Sequence, residues 1–84
     1  MKKNVMLILI SNRKDSVSNV QKLLTAWGCL IKTRLGIHDG VLDDCSEQGL
    51  LMLELVGEKD KHEEFLHKLG LIKGVNAKLV ELEV

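Results

Sequence analysis

The chain has 84 residues, and 12 Lys plus Arg are balanced by 12 Asp plus Glu, a formal net charge of zero. At that length one domain buries roughly two thirds of its unfolded surface around a thin core, which partner chains would supplement. Charge balance leaves no field to hold nucleic acid or an anionic membrane, and with Trp27 and Phe65 as its aromatic side chains the chain has no row of rings for bases or sugars to stack on.

In chain order, Lys2 and Lys3 precede an apolar run, Val5–Ile10, which Ser11, Asn12, Arg13 and Lys14 end. The run is shorter than the about 7–15 residues of a secretory core and the about 20 of a membrane span. It reads as a buried first strand, and the cytoplasm is the expected location. Val17, Val20, Leu24 and Trp27 then recur at steps of three and four, with Leu23 widening the stripe and Ser18, Asn19, Gln21 and Lys22 opposite. That spacing predicts a one-faced helix over Val17–Trp27, capped by Asp15 or Ser16 and ended by a left-handed Gly28.

Cys29, Ile31, Thr33, Leu35 and Ile37 alternate with Lys32 and Arg34, the signature of an edge strand over Cys29–Ile37. A polar connection, His38–Gln48, leads to a third strand, Leu50–Val56. The second helix, His62–Leu69, buries Phe65, Leu66 and Leu69, with Asp60 and Glu63 as a capping box and Gly70 as its end. Val75–Val84 is the last strand. Its phase slips at Leu79-Val80, with Lys78, Glu81 and Glu83 outward; a bulge and an edge that pairs with another subunit are both open there.

Each half thus runs strand, Lys-Asp loop, helix, glycine, strand, giving βαββαβ order. The first and third strands are apolar on both faces and therefore central. Right-handed crossovers then give an α+β, ferredoxin-like antiparallel sheet of order 4-1-3-2, expected to form a single domain over residues 1–84. Two helices cover one face of such a sheet. The other face keeps an apolar patch that monomers seldom expose, so a homo-oligomer, dimer or tetramer, is expected.

Two segments carry candidate chemistry. The connection between the second and third strands holds His38, Asp39, Asp43, Asp44, Cys45 and Glu47, side chains able to ligate a transition metal; His38, Asp39, Asp44 and Cys45 are the candidate ligands. Their spacing matches no zinc pattern, and a polar hairpin is the alternative. The loop Ser11–Ser16 precedes a helix N-terminus, where free N–H groups favour an anion, and Asn12, Arg13, Asp15 and Ser16 are candidate effector contacts. It lacks the glycines of a phosphate cradle, so a solvated, capped loop is the alternative there. Cys29 is expected buried and inert on its strand, and both cysteines reduced; His62 and His67 are expected on a helix surface, and Lys32 opposite Glu54 if the hairpin is regular. No nucleophile stands with a base and an orienting partner, so an enzyme is not expected.

With these elements in place, Arg34-Leu35-Gly36-Ile37, Lys68-Leu69-Gly70 and Gly74-Val75 with Lys78 resemble strings of the small ACT-like proteins described as iron-only hydrogenase system regulators, over nearly the whole chain. Asn12-Arg13 stands where that group tends to have an acidic residue followed by arginine. The resemblance implies a regulatory domain that binds a small effector at subunit interfaces and passes the signal to a regulated protein. The chain is also similar to the C-terminal domain of nickel-responsive repressors, which implies His38 and Cys45 as intersubunit metal ligands. It departs from amino-acid-binding ACT domains in having Asp15 and Ser16 where those favour glycine. No ribbon-helix-helix segment precedes the first strand, so a transcriptional role is expected to need a separate DNA-binding partner. Three readings follow: an effector-binding regulatory module, a metal sensor using the His38–Cys45 loop, and an adaptor that recognises a protein through its open sheet.

Overall fold

The computed structural model describes residues 1–11, 14–38 and 49–84. β1 (Lys2–Ile10) leads to α1 (Lys14–Ala26), a 3₁₀ turn (Gly28–Leu30) and β2 (Ile31–His38); β3 (Gly49–Leu55), α2 (Lys59–Gly70) and β4 (Val75–Glu83) follow. The strands form one antiparallel sheet of order β2-β3-β1-β4, the order the patterning predicts. β1 starts earlier than its apolar run because Lys2, Lys3 and Asn4 pair with Glu83, Leu82 and Glu81. Ladder partners, not hydrophobicity, extend it.

The two faces of the central strands part as their alternation requires. Met6, Ile8 and Ile10 of β1 and Leu51, Leu53 and Leu55 of β3 are buried with Val20 and Leu24 of α1 and Phe65 and Leu69 of α2. Trp27 stacks on Phe65, ring centroids 5.5 Å apart, which closes the seam between the helices and adds about 0.5–1.5 kcal/mol beyond the area buried.

Several local expectations are corrected. Gly28 is not left-handed, since Gly57 and Gly74 are the glycines of positive φ among the described residues. The chain instead continues in the right-handed sense into the 3₁₀ turn, where the Leu30 N–H bonds the Trp27 carbonyl at 3.0 Å. Cys29 therefore lies in that turn and is exposed, not buried on a strand. α2 starts at Lys59 with Glu58 as its N-cap and no side-chain cap bond. Asp60 and Glu63 thus make no capping box, and the Glu58 carbonyl takes the N–H groups of Lys61 and His62 at 3.1 and 3.2 Å.

The alternation of β2 breaks between Ile31 and Thr33, where the register against β3 shifts. This bulge turns Ile31 onto the helix-side core and leaves Thr33 and Leu35 across from Glu54 and Met52, on the opposite face. The sequence pattern places all three together, because an extra residue in a strand leaves no mark in composition. Arg34 takes the helix side, where its Nη2 donates to the Gln21 Oε1 of α1 at 2.9 Å. β4, by contrast, holds one unbroken register with β1 from Glu83 to Val75. The slip at Leu79-Val80 is no bulge against β1: Leu79 faces the helices and Val80 the open side, and both are half-buried. β4 is an edge strand.

Candidate functional site

The predicted effector contacts lie where β1 gives way to α1. Asn12 and Arg13 fall outside the described residues. Asp15 and Ser16 sit in the first turn of α1, and the Asp15 Oδ1 accepts the Ser16 N–H at 3.0 Å. Ser16 is buried, and its hydroxyl donates to the carbonyl of Lys73 in the turn before β4. The Ser11 N–H donates to the Gly74 carbonyl at 2.9 Å. Gly74 has φ +81°, and a Cβ there would come within 2.4 Å of the Ser11 Oγ and 2.7 Å of the Ser16 Oγ. Only glycine suits both that backbone and that gap. The junction thus clamps the start of α1 against the entry to β4, and it contains a buried hydroxyl, Ser11 Oγ, with no hydrogen-bond partner among the described residues. A polar atom of this kind normally finds one, and a ligand or a water would supply it.

Of the predicted metal ligands, Asp39, Asp44 and Cys45 lie outside the described residues. His38 is described only in its backbone, as the end of β2 opposite Gly49. Among the described residues no group of three or more His, Cys, Asp or Glu is placed to hold a metal ion.

Sequence reasoning missed three contributors. Lys73 and Gly74 close the Ser11–Ser16 junction; the Gly-Val string was visible, but the contact spans the chain. His62 is fully buried instead of exposed, with its Nε2 2.8 Å from the Val56 carbonyl. A carbonyl only accepts, so Nε2 donates to it, and Nδ1 is buried with no hydrogen-bond partner among the described residues.

The second candidate surface is the face of the sheet away from the helices. Val5, Leu7, Leu50, Met52 and Val80 are half-buried there, while Leu9, Leu35 and Leu82 are 55, 53 and 58 % exposed. Leu7, Leu9, Leu50, Asn76 and Lys78 line a shallow groove of about 180 Å³. One end is charged: Glu54 Oε2 meets the Lys3 Nζ at 3.0 Å and the Lys32 Nζ at 3.9 Å, so the expected Lys32–Glu54 contact forms across the bulge. The Lys3 hydrogen bond, against some desolvation and with help from both ammonium charges, holds the Glu54 carboxyl below its ordinary range.

No protein-family model matches the chain, and no curated protein matches it. Among solved structures, an uncharacterized protein from Thermotoga maritima superposes with a TM-score of 0.82 at 25 % identity, covering 99 % of this chain and 100 % of that one. The regulatory subunit of aspartate kinase from Thermus flavus superposes with a TM-score of 0.51 at 21 % identity over 93 % of this chain. The fold is ferredoxin-like. The chain spans half the length of the aspartate kinase subunit. In this fold the Ser11–Ser16 junction lies between the end of β1 and the start of α1. Among the described residues no helix is long and apolar enough to cross a membrane.

Proposed function

We propose that this chain, folded as one domain over residues 1–84, is a non-enzymatic regulatory module that assembles as a homo-oligomer and binds a small effector at a subunit junction. The open sheet face carries the reading. Three leucines more than half exposed beside a ring of half-buried apolar neighbours form a patch of the kind that marks an interaction surface. Covering it with another copy removes it from water and creates a junction between subunits.

The regulatory part of the reading draws on the likeness in fold to the aspartate kinase regulatory subunit and on the resemblance in sequence to hydrogenase system regulators. Control of a hydrogenase system or of transcription, exerted through a separate protein, is its finer form. The walls of the effector site would be the turn bearing Asn12, Arg13, Asp15 and Ser16 and the His38–Gln48 connection. The buried Ser11 hydroxyl, without a hydrogen-bond partner among the described residues, supports a polar ligand at the first of these.

Mass in solution, followed by a thermal-shift screen of metabolites and metal ions on the same sample, tests the proposal. The expected result is an oligomer at micromolar concentration whose midpoint rises with at least one compound, because a ligand that binds the folded state raises its stability by mass action. A monomer would remove the oligomeric reading. An oligomer that no compound shifts would remove the effector.

A further inference from the structure

The groove on the open face has a floor and a rim of different chemistry. Leu9 lies opposite Leu50 of β3 and Asn76 of β4, and in the next row Leu7 lies opposite Met52 and Lys78. Side chains paired in this way stand about 4.5–5.5 Å apart at Cβ. Leu7, Leu9 and Leu50 therefore make an apolar floor, and Asn76 and Lys78 stand side by side along its β4 edge. The row after Leu9 is Ile10 with Gly49 and Val75, and Ser11 meets Gly74 just beyond it. The groove thus opens at the end of the sheet that carries the Ser11–Ser16 junction and the start of β3.

The charge on this face is uneven. Its charged side chains, among the described strand residues, are Lys3, Lys32, Lys78 and Glu54. The Glu54 carboxylate is held by Lys3 and Lys32, whereas Lys78 makes no ion pair among the described residues. The ammonium left without a carboxylate is therefore the one beside the groove. An anion there would gain its charge, and the Asn76 amide can donate a hydrogen bond to the same group. The groove holds about 180 Å³, and an apolar cavity of about 150 Å³ takes a benzene ring.

We infer that the groove binds a small apolar monocarboxylate, its ring or short chain on Leu7, Leu9 and Leu50 and its carboxylate on Lys78 and Asn76. The inference rests on the effector reading above and gives that effector a chemical class. Three leucines and one cation suit a single negative charge on an apolar body, the usual make-up of a small-molecule site. A sugar phosphate would bring more charge and more hydroxyls than the floor can satisfy. An α-amino acid would bring an ammonium to a face whose carboxylate is already held by two lysines.

Titrating phenylacetate and hexanoate, each beside the matching alcohol, into the isotopically labelled full chain tests the assignment by amide chemical shifts, in a sample whose mass and thermal midpoint are measured as above. Expected are saturable shifts centred on Leu7, Leu9, Leu50, Asn76 and Lys78, with at least one acid bound about tenfold more tightly than its alcohol, as a hydrogen bond between charged groups contributes. Lys78→Gln should remove that preference and leave the affinity for the alcohol unchanged, whereas Leu9→Asn should weaken acid and alcohol alike. Acid and alcohol bound equally by the wild type, or a preference that survives Lys78→Gln, would overturn the assignment. If neither acid shifts these amides while another compound of the metabolite screen raises the midpoint, the groove site falls and the effector reading stands. If nothing shifts either readout, both fall.

Discussion

Replacing Gly74 by alanine tests whether the clamp between β1, α1 and β4 is as tight as its geometry requires. Two costs add. A residue with a Cβ at φ +81° pays about 1–2 kcal/mol for the left-handed backbone. The new methyl would also lie 2.4 Å from the Ser11 Oγ and 2.7 Å from the Ser16 Oγ, and overpacking of that kind costs about 1–3 kcal/mol. Gly74→Ala is therefore expected to lose about 2–5 kcal/mol, a large fraction of the stability of a domain this small. Urea unfolding at one fixed chain concentration measures it. Gly28 is the control: no atom lies within 4 Å of a Cβ built there and its φ is not positive, so Gly28→Ala should be neutral or gain about 0.4–1 kcal/mol. Removing the nearer clashing atom with Ser11→Ala should make Gly74→Ala less costly, with a coupling of about 0.5–3 kcal/mol in the double-mutant cycle. A Gly74→Ala protein as stable as wild type, or a cycle with no coupling, would show that the junction is looser than described.

Four further outcomes are expected. His62→Leu leaves the Val56 carbonyl without its donor and should cost about 1–3 kcal/mol in urea unfolding; a neutral result would mean that water reaches that carbonyl. Because the Glu54 carboxyl ionises more readily in the folded chain, its contribution is complete above its ordinary value of 4.5 and is lost as pH falls through the lower folded value. Stability of the wild type should then fall more steeply below pH 4.5 than that of Glu54→Gln, and parallel curves would contradict the ion pairing. A Leu9→Lys, Leu35→Lys pair should lower the mass in sedimentation without loss of circular dichroism, whereas an unchanged mass would place the interface elsewhere. Elemental analysis of the wild type beside a His38→Ala, Cys45→Ser variant should give the same metal content; transition metal lost with the substitutions would favour metal sensing over an organic effector.

Periodicity carried the architecture because β1 and β3 are apolar on both faces, which left them no position but the centre, and the stripes of α1 and α2 allowed one side only. It failed where a contact spans the chain or a strand gains a residue. The bulge at Ile31 and Thr33 reversed the face of Leu35, and nothing in the local alternation marks it. His62 was misplaced because a polar side chain on a short helix is ordinarily exposed, and its burial depends on the Val56 carbonyl across the turn at Gly57. Asp15 and Ser16 are not the caps expected before a helix at Val17, since α1 starts at Lys14 and holds both in its first turn; the Ser16 hydroxyl goes to the carbonyl of Lys73, a partner that local sequence cannot suggest. Asn12, Arg13, Asp39, Asp44 and Cys45 stay as expectations.

The twofold apolarity of β1 and β3 also bears on how the chain finds its native pairing. In an ordinary sheet a one-residue slip drives the hydrophobic side chains into water and corrects itself. Here a slip of β1 against β3 would exchange one apolar row for another, so burial alone selects the alignment weakly. The Lys3–Glu54 bridge links these two strands in one alignment, while the Met1–Val84 bond pair and the Ser11–Gly74 contact fix the alignment of β1 with β4 at its two ends. Substitutions at these peripheral points should therefore produce mispaired, slowly sorting chains more readily than equal losses of stability in the core.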